Sequence, residues 1–425
     1  MSGSHLTVGV MGVALSWFLR KFVRQGALTV RFADGTSETF GDGTGADVAV
    51  AFRDEAAETA LLANPELKLG ELYMDGRFVI ERGDLYDLLT LGTTNLRDFR
   101  APRAFRALSA FRDVAARFEP ANDRVRAQRN VAHHYDLDER LYRLFLDKDM
   151  QYSCAYFENW GASLDEAQLA KKRHIAAKLM IEPGQSVLDI GCGWGGMALY
   201  LAKNLGARVV GVTLSTEQQA VARRRVEQAG LQDRIDIRLQ DYRDVEGPFD
   251  RIVSVGMFEH VGRAHFDEFF THAKRLLSDD GVAVLHAIGR SGAAQPTGPW
   301  VKKYIFPGGY LPPVSEVSES IERQGLLTTD IEILRLHYAQ TLRLWRERFR
   351  RRWDDAKALY DERFCRMWDY YLAGAECGFR FLDHMVFQFQ LAKKHGIVPE
   401  TRNYVLAAET ALRARDSQEA MIAAE

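Results

Sequence analysis

A short apolar run that ends in a glycine turn, SVLDIGCGWGG at residues 186–196, constrains the fold of this chain more than any other stretch. Only glycine takes positive φ freely and lets a backbone approach a ligand closely, so Gly191, Gly193 and Gly195 mark a strand that turns sharply into a helix. MALYLAKNL follows at once with helical spacing. The text then runs ARVVGVTL, TEQQAVARRRVEQAG, DRIDIRL, FDRIVSVG, HFDEFFTHAKRLL and GVAVLHAIG, in which short apolar strands are interleaved with amphipathic helices. This alternation predicts an α/β fold, with a doubly wound and mostly parallel sheet. MVFQFQLAKK alternates with period two and is expected to add a late antiparallel edge strand.

Gly191, Gly193 and Gly196 match G-x-G-x-x-G, the dinucleotide pattern. Two neighbours argue against a dinucleotide. Asp189 stands directly before the turn, where its charge would repel a pyrophosphate. The second strand ends in Thr213, Leu214 and Ser215, with no carboxylate for a ribose until Glu217. S-adenosylmethionine fits better, since its amino end is cationic and it carries no phosphate. Gly191 and Gly193, with Asp189, are therefore expected to face a methyl donor.

The remaining chain adds context. Residues 27–53 show short alternating runs separated by Asp34-Gly35, which suggests a small antiparallel β unit with a hairpin. Residues 54–93 read as helical, interrupted near Asn64-Pro65 and Asp75-Gly76. The expected layout is a small N-terminal α+β domain over 1–95, a basic and aromatic helical linker over 96–124, a catalytic domain over 125–395 with a Gly/Pro-rich insertion at 290–326, and a C-terminal helical tail over 396–425. Four scattered cysteines without a C-x-x-C pair suggest a reduced, cytoplasmic protein. A net charge of -2 gives no electrostatic case for nucleic acid. Residues 6–23 are apolar for too short a distance to span a bilayer, and are expected to form a helix that buries one face.

YSCAYF (152–157), LDIGCGWGG (188–196), GVTLSTEQ (211–218), DYRD (241–244), GMFEHVG (256–262), YIFPGG (304–309) and HYAQTLRLW (337–345) occur in this order. Together they resemble the cyclopropane fatty acid synthases, the group that includes the mycolic acid cyclopropane synthases. The likeness covers about residues 125–395, and residues 1–95 resemble less distinctively the extra domain of the phospholipid-acting members. It implies a seven-stranded Rossmann-like methyltransferase sheet. It also implies methyl transfer from S-adenosylmethionine to a cis double bond of an acyl chain, giving a carbocation that closes to a ring when bound bicarbonate takes a proton.

Carried over residue by residue, the resemblance gives Cys154, Glu259, His286, Ile288 and Tyr338 as bicarbonate ligands, with Cys154, Glu259, His286 and Tyr338 as the catalytic set. His286 and the Tyr338 hydroxyl would donate to the anion, and Glu259 would accept from its O–H. Donor contacts are expected from Tyr152, Ser153, Asp189, Gly191 and Gly193, from Thr213, Leu214 and Gln218, and from Gln240, Asp241 and Tyr242. Tyr304, Phe306 and Gly308 are expected to line an acyl channel, where an aromatic face could stabilise a cation.

Taken alone, several of these residues have ordinary readings. Cys154 would pass for a small buried hydrophobe and His286 for a core histidine. His133, His134, His174 and His265 lack metal-ligand spacing and read as structural. No metal is expected. The expected partner is an unsaturated phospholipid at a membrane surface, with peripheral attachment to the inner face and a homodimer as a candidate assembly. The attachment candidates are the N-terminal helix, the Arg/Phe linker at 97–118, and Arg346, Arg348, Arg350, Arg351 and Arg352. A methylene- or methyl-branched product and a non-catalytic lipid-binding protein are the alternatives.

Overall fold

The computed structural model describes residues 10–99 and 137–422. Most of the Arg/Phe linker lies outside the described residues. The chain divides into two compact units. Among described residues, the first holds 10–99, 296–307 and 342–383, and the second holds 137–295, 308–341 and 384–422.

The first unit begins with helix α1 (Val10–Phe22) and a four-stranded sheet of β1 (Ala27–Arg31), β2 (Ser37–Phe40), β3 (Asp47–Phe52) and β4 (Phe78–Arg82), in the order β2-β1-β3-β4. The hairpin expected at Asp34-Gly35 forms between β1 and β2, but β3 pairs parallel to β1, so the unit is mixed and not purely antiparallel. The cause lies in the loop after β2. Gly43 N–H donates to Gly26 O at 2.9 Å, and Gly26 N–H donates to Asp42 Oδ1 at 3.0 Å. These bonds carry the chain over the start of β1 to its other edge. Leu15, Leu19 and Val23 close the core over Leu28, Val30, Val48, Val50 and Phe52, so the N-terminal helix buries one face in a protein core, while Val13 and Trp17 are exposed.

Helices α2 (Glu55–Ala63), α3 (Pro65–Met74) and α4 (Leu85–Asp98) follow, interrupted as expected at Asn64-Pro65. The stretch read as helical with two interruptions also contains β4, whose FVIER is too short to show a period. Two later segments fold with these residues, namely α10 (Pro299–Tyr304) and, within 342–383, α13 (Trp353–Leu359) and α14 (Glu362–Phe381). A continuous catalytic domain over 125–395 is therefore not what the contacts delimit. The reason is apolar burial: Ala373 and Cys377 of α14 pack against Leu85 and Leu89 of α4. Trp300 lies so close to α3 that a Cβ on Gly70 would come within 2.3 Å of its ring nitrogen. The basic run at 346–352 is largely paired within this unit. Arg346 is buried against Asp369 at 2.7 Å, Arg350 reaches Asp84 at 2.9 Å and Arg352 binds Asp355.

In the second unit seven strands form one sheet: β5 (Ser186–Ile190), β6 (Arg208–Thr213), β7 (Ile235–Leu239), β8 (Phe249–Val255), β9 (Leu277–Arg290), β10 (Leu327–Ile333) and β11 (His384–Ala392), in the order β10-β11-β9-β8-β5-β6-β7. The five strands from β5 to β9 pair in parallel, and β11 is antiparallel to both β9 and β10. Thus β11 is antiparallel as expected but interior. The edge belongs to β10, whose LTTDIEI is half solvated and carries a weak apolar signal. Successive residues of β5 face opposite sides. Val187 packs with Ile175 and Leu179 of α6 (Leu164–Leu179) and with Leu201 of α7 (Gly196–Leu205). Leu188 packs with Phe269 and Phe270 of α9 (Phe266–Leu276) and with Ile321 of α11 (Val314–Arg323). Helix α8 (Thr216–Gln228) joins β6 to β7, α5 (Glu139–Phe145) precedes the sheet, and α15 (Asn403–Ile422) forms the expected helical tail.

Glu71 tests how the first unit is held. It accepts from Lys68 and Lys303, each at 2.6 Å, and from the Tyr304 hydroxyl at 2.8 Å. Burial opposes its charge, but the bonds from Lys303, Lys68 and Tyr304 outweigh this and bring the carboxyl from 4.5 down to about 2. A lowered carboxyl contributes stability above 4.5 that is lost as pH falls toward 2. Glu71→Gln should cost about 3 kcal/mol at neutral pH. Thermal unfolding of the variant should lose this component of its dependence on acid.

Candidate active site

Ligands in open parallel sheets bind beyond the carboxyl ends of the strands, where the strand order reverses. Here that point is β5, which has β6 on one side and β8 on the other. The turn after it opens a pocket in the second unit. Its lining includes Tyr152 and Ser153, then Asp189, Gly191 and Gly193, then Thr213, Leu214 and Gln218, and finally Gln240, Asp241 and Tyr242. All eleven residues expected to face the donor therefore line one cavity.

The lining is set by local chemistry. The N–H groups of Gly191 and Cys192 both donate to Val212 O, at 2.9 and 3.0 Å, which folds the turn back across β6. Gly191 has φ +81°, and a Cβ there would come within 2.7 Å of Met257. Thr213 Oγ1 donates to Gln218 Oε1 at 2.9 Å, so the end of β6 presents hydroxyl and amide groups to the cavity and no acid. Asp241 is held by Arg243 at 2.6 Å. The Tyr152–Ser153 segment is fixed from behind by α6. Gln168 Nε2 donates to Ser153 O at 2.9 Å, and buried Lys171 donates to Ser153 Oγ at 2.7 Å.

Asp189 is the most telling group. It is buried, and its Oδ2 has no hydrogen-bond partner among the described residues. Burial, eased by the nearby charge of Lys171, raises its carboxyl to about 7. A buried acid with an unsatisfied oxygen on a cavity wall fits a cationic ligand group and not a pyrophosphate.

Four of the expected anion ligands, Cys154, Glu259, His286 and Ile288, lie beside this pocket. Gly256 lines it, and its N–H donates to His286 O at 2.8 Å. Met257 also lines it and leads into the 3₁₀ turn Phe258–His260 that carries Glu259. Glu259 is buried, accepts from Ile288 N–H at 2.6 Å, and leaves Oε2 without a partner among the described residues. Burial raises its carboxyl to about 7, against the pull of the Ile288 bond. Ile288 thus spends its N–H on orienting Glu259. Cys154 is buried, its thiol is pushed up by burial, and its Sγ bonds Ala155 O at 3.3 Å, which suits a wall better than a nucleophile.

Tyr338 is buried in the first turn of helix α12 (His337–Arg351). That turn is tied to the YSCAYF segment: Ala155 N–H donates to Thr341 Oγ1 at 3.0 Å, and Phe157 N–H to His337 Nδ1 at 2.9 Å.

Tyr304 and Phe306 belong to the first unit and Gly308 to the second. The Tyr304 ring already has Lys303 Nζ at 5.0 Å and Arg363 at 5.8 Å, while Phe306 packs edge-on to Tyr371. Sequence reasoning passed over Trp194, Met257, His260 and His265, which also line the pocket. Trp194 and Met257 were legible as neighbours of strand-end turns. His265, read as structural, carries no distinguishing spacing. His260 is pushed down to about 4 by burial and is therefore neutral.

Comparisons with known proteins give the family and the fold. The family model for mycolic acid cyclopropane synthetase matches residues 122–389, and a domain of unknown function (DUF7884) matches residues 16–101. The chain is 42% identical over 330 residues to the cyclopropane-fatty-acyl-phospholipid synthase of Escherichia coli (strain K12), covering 77% of this chain and 83% of that protein. It is 37% identical to the tuberculostearic acid methyltransferase UfaA1 of Mycobacterium tuberculosis (strain ATCC 25618 / H37Rv), covering 88% of this chain and 90% of that one. Among solved structures, the mycolic acid cyclopropane synthase CmaA1 complexed with SAH and CTAB superposes with a TM-score of 0.59 at 36% identity, covering 62% of this chain and 97% of that one.

Donor binding is open to direct test by calorimetry with S-adenosylhomocysteine and S-adenosylmethionine. Gly191→Val should abolish binding of both, since its side chain meets Met257 and strains a positive φ. Asp189→Asn should weaken S-adenosylmethionine about tenfold or more. Because the acid must be ionised to hold a cation, wild-type affinity should fall as pH drops below about 7, and the variant should lose that dependence.

Proposed function

The chain belongs to the family described as mycolic acid cyclopropane synthetase, and from that premise we propose that it builds a cyclopropane ring on a cis double bond of an unsaturated phospholipid acyl chain. It is an S-adenosylmethionine-dependent methyltransferase. The donor supplies an electrophilic methyl group on a sulfonium. Asp189, Tyr152, Ser153, Gly191 and Gly193 would hold its methionine end, Thr213, Leu214 and Gln218 its ribose side, and Gln240, Asp241 and Tyr242 its adenine.

The observation that carries the ring-closing step is Glu259, a buried carboxylate with one oxygen fixed by Ile288 and the other unsatisfied. Once the alkene has gained a methyl group it is a carbocation, and closure needs only the loss of one proton from that methyl. Glu259 accepting, with His286 and Tyr338 donating, would make a cradle for bicarbonate, which would supply the proton acceptor there. Cys154 and the flanking apolar residues would keep out water, which would otherwise trap the cation as an alcohol. Phe306, and less favourably Tyr304, would offer aromatic faces to the acyl chain.

Membrane contact would be peripheral, since no helix among the described residues is long and apolar enough to cross a bilayer. With much of the 346–352 run paired, the exposed Val13 and Trp17 of α1, beside Arg20 and Lys21, are the better candidates for contact with a cytoplasmic membrane face. A homodimer would double that contact.

Glu259→Gln and Tyr338→Phe should each lower turnover by about 10²-fold or more, with donor affinity little changed. Removing bicarbonate should slow the wild type. Lipids from a host expressing the chain, read by mass spectrometry and NMR, should contain cyclopropane acyl chains. A methylene- or methyl-branched chain in their place would assign the enzyme to the branch-forming reaction, which shares the same cation. Wild-type turnover in both variants would reject the anion site. Trp17→Ala should weaken salt-sensitive co-sedimentation with anionic vesicles, and unchanged binding would remove α1 from the contact.

A further inference from the structure

For His286 to serve an anion, its ring must offer an N–H. Strands β9 and β11 are antiparallel neighbours that set Gln388 directly opposite His286. Gln388 Nε2 lies 3.1 Å from His286 Nδ1, and the oxygen of the same amide accepts from Lys178 Nζ at 2.8 Å. An ammonium has donors only, so the amide oxygen must face Lys178 and the NH₂ must face the ring. The NH₂ in turn can only donate. Nδ1 is therefore the acceptor, and a neutral ring carries its proton on Nε2. Burial, together with the charges of Lys171, Lys178 and His174, pushes the His286 pKa well below its ordinary value, while Glu332 pulls the other way. The ring is neutral.

The chain of contacts continues away from the site. Lys178 is wholly buried and donates to Glu332 at 2.5 Å, with Asp330 at 3.6 Å. Glu332 also meets His174 Nε2 at 2.8 Å and Arg402 at 3.3 Å, and His174 Nδ1 lies 2.6 Å from Glu409. Between two carboxylates both nitrogens of His174 donate, so it is an imidazolium. A closed interior is held together as well or better by apolar side chains of equal volume. A buried ammonium and a buried amide in series do something apolar groups cannot, which is to specify where one proton sits.

We infer that Gln388 and Lys178 are positioning residues that hold His286 as the neutral Nε2–H tautomer, ready to donate to an anion. The link to turnover rests on His286 being an anion ligand in the reaction proposed above.

Full-length protein carrying ¹⁵N-histidine reads the tautomer directly in long-range ¹H–¹⁵N spectra, with His286→Gln used to assign the signal. The wild type should show His286 protonated on Nε2 alone between about pH 6 and 8. Gln388→Glu places an acceptor against Nδ1, so the proton should move there or the ring should charge. Turnover should then drop about 10–100-fold while the KM for the donor stays within about twofold. Lys178→Met frees the amide to rotate and should give a mixture of tautomers. A wild-type ring protonated on Nδ1 overturns the assignment, and needs no variant to fold. An unchanged ring in Gln388→Glu overturns it as well. If the spectra come out as expected but His286→Gln keeps full turnover, the tautomer assignment stands and the anion-ligand reading fails.

Discussion

Parallel strands end together, and what they carry at those ends is removed from water. Asp189 lies next to the last residue of β5 and Glu259 follows β8, and each keeps one carboxylate oxygen that no described residue satisfies. In water both groups would be ionised at neutral pH and of little use as selective contacts. Desolvation brings both to about 7, so that each can respond to the charge or the donor placed next to it. The rest of the second unit serves to keep these two groups dry. Phe258 stacks on Phe266 at 4.6 Å behind Glu259, and α6 seals the Tyr152–Ser153 segment with Gln168 and Lys171.

The interior position of β11 extends the same constraint. An antiparallel strand between β9 and β10 is buried on both faces, yet it carries Gln388 and Gln390, both nearly inaccessible. Gln390 Nε2 donates to Lys178 O at 2.6 Å and to Tyr404 at 2.7 Å, so neither amide is left unsatisfied. A polar layer thus runs through the sheet from β9 to α6, and its order is set by donors that cannot reverse.

How much of this was legible in the sequence depended on range. The glycine turn, with Asp189, Gly191 and Gly193, and the alternation of strands with helices follow from local pattern, because strand ends and turns announce themselves within a few residues, whereas the other pocket residues, Tyr152 and Ser153 above all, rested on the family resemblance. β10 was missed because LTTDIEI is half solvated at an edge, and β4 because five residues show no period. The parallel pairing of β1 with β3 turns on which edge the loop at 41–46 crosses to, which composition does not encode. The membership of 296–307 and 342–383 in the first unit is a matter of apolar faces meeting at long sequence separation. Gln388 and Lys178 were invisible for the same reason, since a register puts Gln388 opposite His286 and a helix 210 residues earlier supplies the cation.

The composition of the first unit from three stretches of chain bears on how the protein comes off the ribosome. Residues 10–99 are made first, but their partners at 296–307 and 342–383 arrive later, the last of them roughly 280 residues on. At about 5–20 residues per second that is a wait of about 15–60 s. During it the apolar faces of α3 and α4 have no covering helix, so Leu85 and Leu89 face either water or a chaperone. The second unit also closes late, because β11 must slide between β9 and β10. The first unit thus has all its parts only once residue 383 is made, and the second only after β11.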